Sequence, residues 1–105
     1  MRFALVRIDR PGMAAARARL QAAHNEYQKP FLDRIVFGGG FVDDGTDTSG
    51  DVDIEDVTGN LLVFEAPDRE WVEKFQANDP YTLAGLFETE IIKLLWQRVP
   101  APDQE

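Results

Sequence analysis

Cysteine is absent from the 105 residues, which excludes disulfides, thiolate metal sites and a cysteine nucleophile together. Histidine is nearly as scarce, and His24 is the only imidazole in the chain. Positive charge is also short: 11 Lys and Arg stand against 19 Asp and Glu, for a net charge of -8. Such a field repels phosphate backbones and anionic membrane surfaces, so neither nucleic acid nor a membrane is expected as a partner. Long apolar runs are missing too. The run that opens at Phe3 is shorter than the roughly 7 to 15 residues of a signal-peptide core. No segment approaches the roughly 20 apolar residues that span a bilayer. A cytoplasmic protein is the expectation. No nucleotide, haem or flavin signature is present, and neither a cofactor nor a metal is expected.

What is present fits one small domain. With 105 residues and 44% apolar content, a single unit over residues 1–99 is expected, followed by a flexible tail over residues 100–105. Domains of this size bury a limited share of their surface, which favours association with a second subunit.

The apolar run from Phe3 to Ile8, stopped by Asp9-Arg10-Pro11-Gly12, predicts a first strand and a turn. Met13, Ala16, Leu20, Ala23, Tyr27 and Phe31 recur at helical spacing and predict an amphipathic helix to about Pro30. Arg34 to Phe37, running into Gly38-Gly39-Gly40, predicts a second strand, and Leu61 to Ala66 a third. Asp68 reads as the N-cap of a second helix carrying Trp71, Val72 and Phe75 and ending near Asn78. Glu88 to Val99 reads as a long final strand. The order β-α-β-β-α-β is the α+β, ferredoxin-like arrangement with an antiparallel sheet. The last strand is apolar on both faces, with Ile92, Leu94 and Trp96 on one and Ile91, Leu95 and Val99 on the other. Two helices cover one face only, so the sheet of a second copy is expected on the other, giving a homodimer with a barrel-like core.

Two residues carry proton chemistry. A helical wheel sets His24 close to Met13, on the inward side, where an imidazole can take and return protons near neutral pH. Packing with satisfied ring nitrogens is the alternative for such a residue. Asp79 precedes Pro80, the N-cap and first-turn signature of a short helix over Tyr81 to Ala84. A capping carboxylate is also a well-oriented partner for an imidazole. Tyr81 can donate a hydrogen bond to a ligand or simply pack. Gly38-Gly39-Gly40 lacks the spacing of a dinucleotide motif and reads as a bulge or close backbone approach, whose Gly39 and Gly40 N–H groups can meet a ligand oxygen. Arg7, Arg34 and Arg98 can each pair with an anionic ligand or with surface acids. The acidic stretch 43–58 does not match a calcium loop and is expected to be a solvated, mobile loop, with weak cation binding left open.

His24 ahead of the Gly38-Gly39-Gly40 turn, the strand Leu61-Leu62-Val63-Phe64-Glu65, and Asp79-Pro80-Tyr81 followed by Ala84-Gly85-Leu86-Phe87 resemble the YciI-like (YCII-related) proteins of the dimeric α+β barrel superfamily. The likeness covers roughly residues 2 to 99. It implies a ferredoxin-like subunit that dimerises through its sheet and a pocket whose His and Asp correspond to His24 and Asp79. Members often carry an Arg three residues before the His, where this chain has Gln21. A related enzyme removes chloride from a chlorinated hydroxyquinol-type ring, and neighbouring families include muconolactone isomerases and cofactor-free monooxygenases. The resemblance thus implies a small-molecule lyase, isomerase or dehalogenase acting through a His-Asp pair on an aromatic or lactone-like compound. A non-catalytic ligand-binding or structural homodimer is the alternative.

Overall fold

The computed structural model describes residues 1–101. Its elements run β1 (Arg2–Asp9), α1 (Ala14–Gln28), a 3-10 segment (Lys29–Arg34), β2 (Ile35–Phe41), a 3-10 turn (Ile54–Asp56), β3 (Gly59–Glu65), α2 (Arg69–Asn78), α3 (Pro80–Leu83) and β4 (Phe87–Leu95). The strands form one antiparallel sheet in the order β2-β3-β1-β4. This is the expected α+β, ferredoxin-like βαββαβ fold, with the first and last strands paired at its centre and edge.

Side-chain alternation divides the sheet into two faces. Phe3 lies opposite Phe64 and Leu5 opposite Leu62, and these four pack against Val72 and Phe75 of α2. A second buried cluster, Tyr81, Leu86 and Phe87, packs under Met13, the N-cap residue of α1, and under Ala16 and Leu20 within it. The third inward position of β1 is a charge: Arg7 lies opposite Asn60, and both are buried. The opposite face carries Ala4, Val6 and Ile8 of β1 with Phe37, Leu61, Ile91 and Leu95 of the flanking strands. Phe37 remains 57% exposed and Ile91 41%.

Three expectations need correcting. Pro30 has no N–H for the helical ladder, so the chain tightens after Gln28 into the 3-10 segment, which carries Phe31 into the aromatic cluster around Phe75. The last strand stops at Leu95 rather than Val99: Leu95 pairs with Arg2, the first residue of β1, and the β1–β4 pairing extends no further. Trp96 and Val99 therefore stand off the sheet, 78% and 89% exposed. The acidic stretch is more than a solvated loop: Asp53 accepts from the Glu55 N–H at 3.0 Å and starts the 3-10 turn that presents Ile54 and Val57 to α1. Of the expected tail, residues 102–105 lie outside the described residues. No helix among the described residues is long and apolar enough to cross a membrane.

Backbone crowding is tightest where β3 begins. A Cβ built on Gly59 would sit 2.3 Å from the Arg7 carbonyl oxygen, a backbone atom that cannot swing aside. Gly59→Ala is expected to lower stability by about 1–3 kcal/mol through strain passed into β1, measured by urea unfolding. Gly45→Ala is the control, since a Cβ there meets nothing within 4 Å.

Candidate functional site

Asp79 lies between two helices. Its backbone is extended (φ -64°, ψ 131°), which ends α2 and lets Oδ1 accept from the Tyr81 N–H at 2.9 Å as the N-cap of α3, with Pro80 in the first turn. The same carboxylate is fully buried and receives two side chains from elsewhere in the fold. His24 of α1 brings Nδ1 to 2.9 Å from both Asp79 oxygens. Arg7 of β1 donates from Nη1 to Oδ2 at 3.0 Å.

That contact assigns the imidazole tautomer. An ionised carboxylate only accepts, so Nδ1 carries the proton and donates it, leaving the lone pair on Nε2. His24 lines a cavity, and its Nε2 makes no hydrogen bond to any described residue. The ring is held from the side as well, stacked on Tyr81 at 4.2 Å between centroids and 14° between planes. Burial pushes the Asp79 carboxyl up, but the His24 hydrogen bond and the Arg7 charge outweigh it, and the net shift is below the ordinary aspartate value. Burial likewise pushes the Tyr81 phenol up, against the pull of Arg17, so Tyr81 keeps its proton at neutral pH as a hydrogen-bond donor.

Arg7 is itself braced. Nε donates to Asn60 Oδ1 at 3.0 Å, and the guanidinium lies 4.6 Å from the centroid of Phe87. Burial pulls it below its ordinary value while Asp79 pulls the other way. A second buried pair lies alongside: Arg17 of α1 grips Asp9 with Nε at 2.8 Å and Nη2 at 2.6 Å, and its guanidinium sits 4.8 Å from the Tyr81 ring centroid. Asp9 reaches this position through a register shift between Ile8 and Asp9 in the β1–β4 pairing.

The cavity has a volume of about 320 Å³, at the small end of ligand sites. His24, Tyr81 and Arg17 form its polar end, Ile35 and Leu62 part of its apolar wall. Gly39 and Gly40 also line it, with Gly38, and Gly38 packs so closely that a Cβ there would fall 2.4 Å from Leu62 Cδ2. All five site residues expected from the sequence, His24, Asp79, Tyr81, Gly39 and Gly40, thus belong to one cavity or its immediate support. Arg34 and Arg98 do not line it. Sequence reasoning missed Arg17 and Asn60, and it weighed Arg7 as one of three cations that could pair with an anionic ligand or with surface acids, not as the partner of Asp79. The missing signal was periodicity: Arg17 lies seven residues before His24 on the same helix face, and Arg7 continues the inward stripe of Phe3 and Leu5. Among the described residues no group of three or more His, Asp and Glu is placed to hold a metal ion.

Capping alone would make Asp79→Ala cost about 0.5–2 kcal/mol. Removing the carboxylate also strands the Arg7 guanidinium in the interior, so the expected loss is about 3–5 kcal/mol. Asp79→Asn retains the cap and should lose less, measured by urea unfolding. The depressed Asp79 pKa fixes the sign of the pH effect: the unfolded carboxyl binds its proton first, near pH 4, so the contribution is full above that value and disappears as pH falls through the lower folded value. The wild type should therefore show an acid limb below about pH 4 that is shallower in Asp79→Asn.

The YCII-related domain matches residues 1–96 of the chain. Among solved structures, 5-chloro-2-hydroxyhydroquinone dehydrochlorinase (TftG) from Burkholderia phenoliruptrix AC1100, in complex with 2,5-dihydroxybenzoquinone, superposes with a TM-score of 0.83 at 39% identity, over 92% of this chain and 94% of that one. An antibiotic biosynthesis monooxygenase superposes with a TM-score of 0.51 at 14% identity, over 91% and 96% of the two chains. A protein from Agrobacterium tumefaciens gives a TM-score of 0.53, also at 14% identity, over 97% and 98%. These two share the fold alone. No curated protein matches the chain. A domain match that spans nearly the whole chain and a solved structure at 39% identity over 92% of it lead to one conclusion: the chain belongs to the YCII-related family.

Proposed function

We propose that the chain is a cofactor-independent enzyme that eliminates hydrogen halide from a small hydroxylated ring, with His24 as the acid-base group and Asp79 as its positioning residue. One observation carries this reading: Asp79 holds Nδ1 at 2.9 Å, and the basic Nε2 is left for the cavity. Likeness to a dehydrochlorinase at 39% identity supplies the reaction class.

The residues fit the proton bookkeeping. Nε2 takes the proton of a ring hydroxyl and returns it to the halogen-bearing carbon, which becomes tetrahedral while the deprotonated oxygen becomes a carbonyl. A second hydroxyl then gives its proton to Nε2, its electrons form a second carbonyl, and the carbon–halogen pair departs as halide. The ring leaves as a hydroxyquinone, net HX is lost, and no external oxidant or reductant is required. Asp79 stabilises the imidazolium formed at each transfer, and Arg7 keeps Asp79 ionised so that it does so. Tyr81 holds the imidazole plane by stacking and offers its hydroxyl to a ring oxygen. The Gly39 and Gly40 backbone forms a low wall against which a flat ring can lie.

The assembly belongs to the same proposal. The apolar face bearing Val6, Phe37, Leu61 and Ile91 is self-complementary in character, and a second copy packed upon it gives a homodimer with a barrel-like core. Phe37→Glu should convert the dimer to a monomer in size-exclusion chromatography with light scattering. A wild type that is monomeric at micromolar concentration refutes the interface.

A binding or structural role remains the second reading, because the network around Asp79 also ties α1, β1 and α3 together. His24→Ala separates the two. Catalysis predicts a loss of roughly 10² to 10⁴ in halide release from 5-chloro-2-hydroxyhydroquinone, with the fold retained. A structural role predicts a lower melting temperature with unchanged activity per folded molecule, and that result ends the catalytic reading.

A further inference from the structure

We infer that Glu90, on the far side of the sheet from the cavity, is a positioning residue for His24: acting through Thr82 and Arg7, its charge offsets the guanidinium and leaves Asp79 a full counter-ion for the imidazolium. The inference deepens the acid-base reading of His24, and it concerns the step in which the imidazole gains a proton.

Register brings the groups together. Arg7 of β1 stands opposite Asn60 of β3 on one side and opposite Glu90 of β4 on the other, so a neutral acceptor and a carboxylate flank it on the same face of the sheet. Thr82 of α3 bridges the second pair. Its hydroxyl donates to Glu90 Oε1 at 2.8 Å, and the same oxygen lies 3.5 Å from Arg7 Nη1. A hydroxyl has one proton to give, so with that proton on Glu90 only lone pairs face the guanidinium. The chain of contacts then runs on from Nη1 to Asp79 at 3.0 Å and from Asp79 to His24 at 2.9 Å. It joins the surface to the imidazole. Arg7 is not saturated by its buried partners, since Nη2 finds no acceptor among the described residues. Burial pulls Arg7 below its ordinary value, and Asp79 and then Glu90 pull it back.

A count of charge shows what Glu90 adds. Around His24, β1 contributes Arg7 and Asp9, α1 contributes Arg17, and the cap of α3 contributes Asp79. Two cations and two anions cancel. Tyr81 keeps its proton, and Glu26, Lys29, Glu55 and Asp56 on α1 and the flanking 3-10 elements are exposed, where water and salt screen them. A proton taken by the imidazole would therefore have no net counter-charge in the buried set. Glu90 is exposed as well, but Thr82 tethers it and the strand register holds it opposite Arg7. Its charge is the one that tips the set negative.

The test is a proton NMR titration of the His24 Hε1 resonance in untagged protein, which needs no assignment because the chain has a single histidine. Glu90→Gln keeps an acceptor for Thr82 and removes the charge. The imidazole should lose about two- to fivefold in proton affinity, a fall of about 0.3 to 0.7 in the midpoint on the pH scale, modest because Glu90 faces water. Thr82→Val releases Glu90 into solvent and should lower the midpoint in the same direction, so a folding defect in either variant leaves the other to decide. Glu73→Gln removes one carboxylate from the exposed side of α2 and is the charge control, with an expected change below about 0.1. An unchanged midpoint in Glu90→Gln, or an equal fall in Glu73→Gln, overturns the inference and leaves Glu90 a surface residue of β4. The titration is read without turnover, which separates this result from catalysis. A lowered midpoint in a protein that releases no halide keeps the inference while the catalytic reading fails, and an unchanged midpoint in an active enzyme does the reverse.

Discussion

The buried Asp79 carboxylate is the group on which the rest of the structure converges. Its two oxygens receive a backbone N–H from α3, an imidazole from α1 and a guanidinium from β1. An ionised carboxylate cannot be left bare in an apolar interior, so each donor is obligatory rather than decorative. That requirement explains why a charge stands at the third inward position of β1, where a strand of this pattern would otherwise carry an aliphatic residue. It also explains the imidazole's orientation, since the one nitrogen facing the carboxylate has no other acceptor to choose.

Arg7 with Asp79 and Arg17 with Asp9 place two oppositely charged pairs side by side beneath α1. Burying ion pairs brings little net stability, because desolvation offsets most of the Coulomb attraction. In a chain with only 11 cations, committing two of them to the interior therefore makes sense as the fixing of geometry. Each guanidinium also lies against an aromatic ring, Arg7 on Phe87 and Arg17 on Tyr81. Contact with a ring face limits the rotational freedom that would blur the donor directions.

Much of this was legible in the sequence, for physical reasons that differ by element. Period-two and period-3.6 apolar patterns placed the strands and helices, and Asp-Pro marked the helix start that proved to carry the central carboxylate. His24 was readable because the wheel set it among apolar positions. The buried arginines were harder to read, since periodicity sets them on inward stripes but a charged side chain there looks like a solvated one until its counter-ion is known, and the Asp79 that holds Arg7 lies 72 residues away. The end of β4 was equally hidden: Trp96 and Val99 look like strand residues, and only the length of the neighbouring strand stops the ladder at Leu95. The acidic stretch was read by its charge, while two of its three apolar residues, Ile54 and Val57, line the cavity beside α1.

The central position of β1 has a consequence for how the molecule comes into being. Strand β1 pairs with Gly59–Glu65 on one side and Phe87–Leu95 on the other, so Arg2 meets its β4 partner only when Leu95 exists. Closing such distant contacts is slow, because the chain must surrender loop entropy before any pairing rewards it. On the ribosome β1 and α1 emerge before β3 and β4 exist, and an Arg7 that will later be locked beside Asp79 has not yet met its partner. Its charge then works as a gatekeeper within an apolar segment, discouraging the nascent strand from pairing with other chains before its own partners arrive.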